Sequence, residues 1–185
     1  MLCKAYSRQN IFRLSKEETM ISAWGFGKDG RLGIGDGKDY PFPVPLSGLG
    51  GLFIKKVVCG GQFSAALTIQ GEVYTWGCGD GGMCGNDNPQ EVLKPEKIDF
   101  EGSLIKDIFG GFYQGAALSK DNKLYIWGRC AFGIFGEDEE DLYRPTCVPI
   151  EHVSAVGCGG RHTVVTTLSG EVYTFGPGWE GNMAV

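Results

Sequence analysis

Residues 60–77 read Gly60-Gly61-Gln62-Phe63-Ser64-Ala65-Ala66-Leu67-Thr68-Ile69-Gln70-Gly71-Glu72-Val73-Tyr74-Thr75-Trp76-Gly77. Two β-rich runs, 64–69 and 72–76, flank the dipeptide Gln70-Gly71. Such x-Gly turns favour a tight hairpin, because the left-handed conformations at the turn suit glycine. On the second run, Tyr74 and Trp76 point one way, Val73 and Thr75 the other. Bulky or β-branched groups on both faces imply a sheet packed on both sides.

Outward from this hairpin the same pattern recurs. Aromatic-Gly pairs stand at Trp24-Gly25, Trp76-Gly77, Trp127-Gly128 and Phe175-Gly176, spaced 52, 51 and 48 residues apart. A further glycine follows each at Gly30, Gly82, Gly133 and Gly181, and another after the first three at Gly33, Gly85 and Gly136. Gly pairs stand at Gly60-Gly61, Gly110-Gly111 and Gly159-Gly160. Aligned on these pairs, the first and third copies match without a gap. The middle copy then carries one extra residue, puts Phe109 where the others have Cys59 and Cys158, and turns at Asp121-Asn122. An apolar run precedes each Gly pair, and a Pro-led segment (Pro43, Pro95, Pro145) follows each aromatic-Gly loop. Proline removes a ladder donor and suits an edge strand. Each unit therefore reads as four strands, inner apolar to outer Pro-led. Repeats of this length mean a repeat architecture. The fold class is all-β: a partial β-propeller of four-stranded antiparallel blades. The Gly pairs are expected where inner strands crowd and no Cβ fits. Counted this way, residues 21–185 hold 13 strands, two full blades with partial blades at both ends, and residues 1–20 form a tail outside the repeats.

Composition supports this and narrows function. The 31 glycines follow no three-residue period, which excludes a collagen-like chain. A net charge of −5 argues against a surface built chiefly for nucleic acid. Lys28, Arg31 and Lys38 form the one small basic cluster. The seven cysteines include no Cys-x-x-Cys, so no metal site is expected, and their odd number without a secretory leader suits a reducing compartment, cytoplasm or nucleus. No apolar run approaches the roughly 18 residues of a membrane-spanning helix. The basic stretch 1–20 reads as a tail, a transit segment or part of an upstream blade.

The pattern resembles the regulator of chromosome condensation repeat family. The residues that carry the resemblance are Gly60-Gly61-Gln62-Phe63-Ser64-Ala65-Ala66-Leu67-Thr68, Gly159-Gly160-Arg161-His162-Thr163 and the loop Gly30-Arg31-Leu32-Gly33, with register kept across residues 21–185. The middle copy departs at the family's histidine (Phe112-Tyr113-Gln114) and the last copy after Gly181. The resemblance implies propellers of about seven blades, and this chain supplies about three. Both end sheets would then leave pairing edges for missing blades or another chain.

Chemical motifs mostly dissolve into the repeat. Gly25-Phe26-Gly27-Lys28-Asp29-Gly30 and Gly77-Cys78-Gly79-Asp80-Gly81-Gly82 match the dinucleotide fingerprint, but that motif needs a helix after it, and Pro-rich or Asn-rich segments follow here. His162 occupies a family repeat position and reads as a structural hydrogen-bonding residue between strands. His152 reads as a solvated loop residue. The aromatic positions Trp24, Trp76, Trp127 and Phe175 read as packing residues. No cofactor and no catalytic residue is nominated. The candidate partner-binding residues are the acidic run Glu137, Asp138, Glu139, Glu140 and Asp141, and Trp179 in the last loop.

The expected function is a non-catalytic protein-interaction scaffold, a fragment of a larger protein, not an enzyme and not a membrane protein. The alternative that the resemblance implies is nucleotide exchange on a small GTPase. Spacings of 52, 51 and 48 residues leave no room for the inserted hairpin that exchange uses in that family.

Overall fold

In the computed structural model the described residues are 2–4 and 11–14, by backbone, together with 20–129 and 141–176. They form four antiparallel sheets, each read from its inner to its outer strand. The first holds β1 (Leu2–Lys4), β2 (Ile11–Leu14), β3 (Ile21–Gly25) and β4 (Tyr40–Pro45). The second holds β5 (Ile54–Cys59), β6 (Phe63–Thr68), β7 (Val73–Gly77) and β8 (Val92–Ile98). The third holds β9 (Ile105–Gly110), β10 (Gln114–Ser119), β11 (Leu124–Gly128) and β12 (Leu142–Cys147), and the last β13 (Val153–Cys158), β14 (Thr163–Thr167) and β15 (Val172–Phe175). The fold is a partial propeller, with Pro43, Pro95 and Pro145 on the outer edge strands β4, β8 and β12 as the lost ladder donor requires.

Two expectations are corrected. The first twenty residues are not wholly outside the repeats: β2 pairs with β3 through Arg13–Ser22 and Leu14–Ile21, and β1 pairs with β2. The first blade thus has its inner strands, and the described strands number 15 instead of 13. The second correction concerns register. Gly60 N bonds Phe63 O, Gly111 N bonds Gln114 O and Gly159 N bonds His162 O, each at 2.8 Å. Ser64 pairs with Trp76, Gly115 with Trp127 and Thr163 with Phe175. The middle copy therefore has no extra residue. Gly110 stands with Cys59 and Cys158, Gln114 with Phe63 and His162, and Phe112 takes the place of the second glycine.

Inner strands β5, β9 and β13 touch in succession, and the hairpin turns of the second and third sheets each bond to the next blade. Ile105 N donates to Gly71 O at 3.0 Å and Val153 N to Asn122 O at 3.2 Å. The crowding expected of the Gly pairs is present at Gly60, Gly61 and Gly111 but not at Gly160, where a Cβ would meet nothing within 4 Å. A Cβ on Gly60 would lie 2.7 Å from Gly111 O, and one on Gly111 2.5 Å from Gly159 O. Strands β6 and β10 are buried at every position, as both-face packing demands.

Candidate functional site

The aromatic-Gly loops and the Gly turns lie at one end of the blades. Loop shape comes from glycine: Gly27–Gly30 and Gly79–Gly82 each close by one 3-10 turn, Lys28–Gly30 and Asp80–Gly82, with Gly30 and Gly82 at φ of 73°. No helix follows either turn, so the fingerprint-like spacing serves chain reversal. The loops also dock the blades. Trp76 Nε1 donates to Arg31 O at 3.0 Å, and Trp127 Nε1 to Met83 O at 3.1 Å. Trp76 and Trp127 are fully buried and Trp24 half-buried.

Arg31 is buried, so Lys28, Arg31 and Lys38 make no surface basic patch. Its guanidinium pairs with Asp29 at 2.6 Å, donates to Gly61 O at 3.1 Å and lies 5.1 Å from the Phe26 ring centroid. Arg31 is thus a clamp between the first and second blades.

Against this glycine background one cluster of large side chains stands out. Phe112, at the second-glycine position, is 43% exposed. Its backbone is held from both sides: Gly61 N donates to Phe112 O at 3.0 Å, and Phe112 N to Gly159 O at 3.1 Å. Its ring meets Tyr113 edge-on at 4.5 Å between centroids. Tyr113 is in turn faced by Arg129 at 6.0 Å and Arg161 at 5.4 Å. Arg129 also pairs with Asp80 and approaches Asp141 at 4.0 Å. Desolvation raises the Asp141 carboxyl above its usual range, opposed by the nearby Arg129 charge. Sequence reading missed this cluster because the Gly110-Gly111 pair concealed the register. With Gly111 aligned to Gly60 and Gly159, the signal is a phenylalanine where the other blades have glycine.

Of the sequence candidates, Asp141 joins this cluster. Glu137, Asp138, Glu139, Glu140 and Trp179 lie outside the described residues. The His162 ring packs over Gly159, and its carbonyl accepts from Gly159 N and from Gln114 Nε2 at 2.9 Å. Gln114 Nε2 also donates to Thr163 Oγ1 at 2.7 Å, joining the third and fourth blades. Among the described residues no His, Cys, Asp and Glu grouping could hold a metal ion, and no helix is long and apolar enough to cross a membrane.

The regulator of chromosome condensation (RCC1) repeat model matches residues 23–67 and 70–118, and a second model of that repeat matches 54–82. The chain belongs to the RCC1 repeat family. It is 38% identical over 161 residues to the ultraviolet-B receptor UVR8 of Arabidopsis thaliana, covering 84% of this chain and 37% of that protein. It is 32% identical over 180 residues to the E3 ubiquitin-protein ligase HERC2 of Homo sapiens, covering 92% of this chain and 4% of that protein. The chain therefore spans well under half of these relatives. Human WBSCR16 shares the fold with a TM-score of 0.81 at 22% identity, over 92% of this chain and 45% of that one. Prp20p of Saccharomyces cerevisiae, described with its binding to Gsp1p and histones, gives 0.79 at 23% identity, over 89% and 42%.

Proposed function

We propose that this RCC1-repeat chain is a non-catalytic protein-interaction scaffold whose loop end carries the binding surface. The observation that supports this most directly is Phe112: a half-exposed aromatic at a glycine position, with its backbone bonded to both flanking blades. A rigid aromatic loses little conformational entropy on binding, and aromatic and arginine side chains dominate protein-interface energetics. Tyr113, Arg129 and Arg161 supply that composition around it. Asp141, the last residue of the acidic run 137–141, stands beside Arg129 in the same cluster, and the run supplies negative charge for a basic partner.

The test uses Phe112→Gly, which installs the residue of the equivalent positions and keeps the backbone bonds to both flanking blades, alone and with Arg161→Ala. Partners of the full chain identified by quantitative cross-linking should weaken at least tenfold in the double variant while circular dichroism shows the β fold retained. Retention of every partner at wild-type affinity would remove the loop end as the binding surface. In a parallel arm, release of labelled GDP from a panel of small GTPases is followed with the purified chain. Acceleration there would replace the scaffold reading with nucleotide exchange.

A further inference from the structure

The outer strand of the first sheet, β4, reads Tyr40-Pro41-Phe42-Pro43-Val44-Pro45, with proline at every second position. Proline fixes its own φ at about −65°, and each residue before a proline is held to extended backbone. All six residues are therefore restrained by covalent geometry. The prolines also empty the edge of donors. Leu46 N donates inward to Ile21 O at 2.8 Å, so by alternation Val44 N faces β3 as well. Pro41, Pro43 and Pro45 carry no N–H, which leaves an outer edge of carbonyl oxygens with Phe42 as the one further donor of the strand.

The other outer strands guard the same place with charge. Pro45 of β4, Lys97 of β8 and Cys147 of β12 are equivalent, since they pair with Ser22, Tyr74 and Tyr125. Phe42 accordingly stands in the place of Lys94 and Arg144, and Val44 in that of Glu96 and Thr146. No residue from 40 to 54 is charged. Phe42 is 76% exposed, and Pro41, Pro43 and Pro45 are exposed as well. Lys94 and Lys97 are exposed although the second sheet has a blade on either side. The positions of Phe42 and Pro45 thus face solvent with or without a neighbouring blade. Prolines alone would protect this edge from strand pairing. A bare phenylalanine adds nothing to that protection.

We infer that β4 docks in the aromatic-lined groove of a proline-recognising domain. Phe42 and the pyrrolidine rings stack on the aromatic side chains of the groove, whose indole N–H and phenol O–H groups donate to the outward carbonyls. The restraint already built into the six residues keeps the entropy lost on binding small. A donor-poor edge rejects an added strand, whether from another protein or from a second copy. An uncharged strand offers a nucleic-acid backbone or an anionic lipid surface no cation to pair with. At the loop end of the strand, Asp36 is taken up by Tyr40 Oη at 3.0 Å and by Lys38 at 3.9 Å, and Asp39 accepts from Gly27 N at 2.8 Å. Charge complementarity therefore selects a neutral groove. The strand is separate from the Phe112 cluster, and either can fail without the other.

The probes are single recombinant domains of the WW, SH3 and EVH1 types, each fluorescently labelled and titrated by anisotropy with the full chain. At least one type is expected to bind with a Kd of about 100 μM or tighter. F42K/P45K writes Lys94 and Lys97 of the second blade into β4 and should weaken that binding about tenfold or more. F42K alone should weaken it in the same direction, and F112G should leave it unchanged. Absence of binding by all three types at about 1 mM, or binding that F42K/P45K retains in full, overturns the proposal. So does self-association of the chain that F42K/P45K abolishes, which would make a second copy the occupant. Circular dichroism checks the fold of each variant, and F42K carries the test if the double variant unfolds.

Discussion

Trp127 Nε1 donates to Met83 O across the junction between the second and third blades, at 3.1 Å. Trp76 makes the same bond one blade earlier, to Arg31 O at 3.0 Å. The two acceptors are not equally provided for. Arg31 O also takes the Ser64 hydroxyl at 2.9 Å, whereas Gly115 stands in place of Ser64 in the third blade and has no hydroxyl to offer.

That asymmetry sets the order of two substitutions. Trp76→Phe removes one of two side-chain donors and should cost about 1 kcal/mol, whereas Trp127→Phe strips the side-chain donor from a buried carbonyl and should cost about 2–3 kcal/mol. Urea unfolding of the two variants measures the difference. Equal losses would show that ring volume, common to both, decides the stability of these junctions.

Glycine at the loop ends separates strain from packing. Gly33 and Gly102 both have left-handed backbones, at φ of +72° and +81°. A Cβ on Gly33 would lie 2.7 Å from Trp76 Cδ1 and 2.9 Å from Leu46 Cδ1, while nothing lies within 4 Å at Gly102. Gly102→Ala should therefore cost about 1 kcal/mol of backbone strain. Gly33→Ala adds a displaced indole, for a loss of about 3 kcal/mol or more. Similar midpoints for the two in urea would mean that the blades part easily to admit a methyl group.

The blade was legible in the sequence because hairpin turns, strand alternation and inter-blade glycines are local signals that recur. The register of the middle copy was not. Its Gly110-Gly111 looks like the other pairs, yet the position equivalent to Gly110 is filled by Cys59 and Cys158. The strictly crowded site is Gly111, beside Gly159 O. Strands β1 and β2 were missed for a related reason: neither is marked by a Gly pair, and pairing with β3 is what defines them. The Phe112 cluster depended on both the register and the folding of Arg129 and Arg161 against Tyr113, contacts that sequence spacing does not contain.

Arg31 offers a swap that the chain itself has already made. In the second blade its place is taken by Met83, and the place of Asp29 by Gly81. Removing one member of a buried pair strands the other charge, so Asp29→Ala should cost about 3 kcal/mol. The double variant Asp29→Gly/Arg31→Met replaces the pair by its apolar counterpart and relieves the positive φ of 60° at Asp29. It should stay within about 1 kcal/mol of wild type despite losing the bond to Gly61 O. A double variant as damaged as Asp29→Ala would make the Arg31–Gly61 contact the dominant link between the first two blades.

Stability should fall at alkaline pH through two desolvated thiols, Cys84, which is buried, and Cys158, which is half-buried. Desolvation pushes Cys158 up to about 12, opposed by hydrogen bonds with Thr163 and Gln114, and it pushes Cys84 up strongly as well. In the unfolded chain these thiols ionise near 9.0. Above that pH the unfolded state gives up protons that the folded state keeps, so stability is fully present below pH 9 and is lost as pH rises toward 12. The limiting slope is about 1.4 kcal/mol per pH unit for each thiol. Urea midpoints between about pH 9 and pH 10.5, in reducing buffer, should fall less steeply in C84A/C158A than in wild type. An unchanged slope would show that both thiols ionise in the folded blades, which requires water to reach them and is incompatible with the close packing around Cys84.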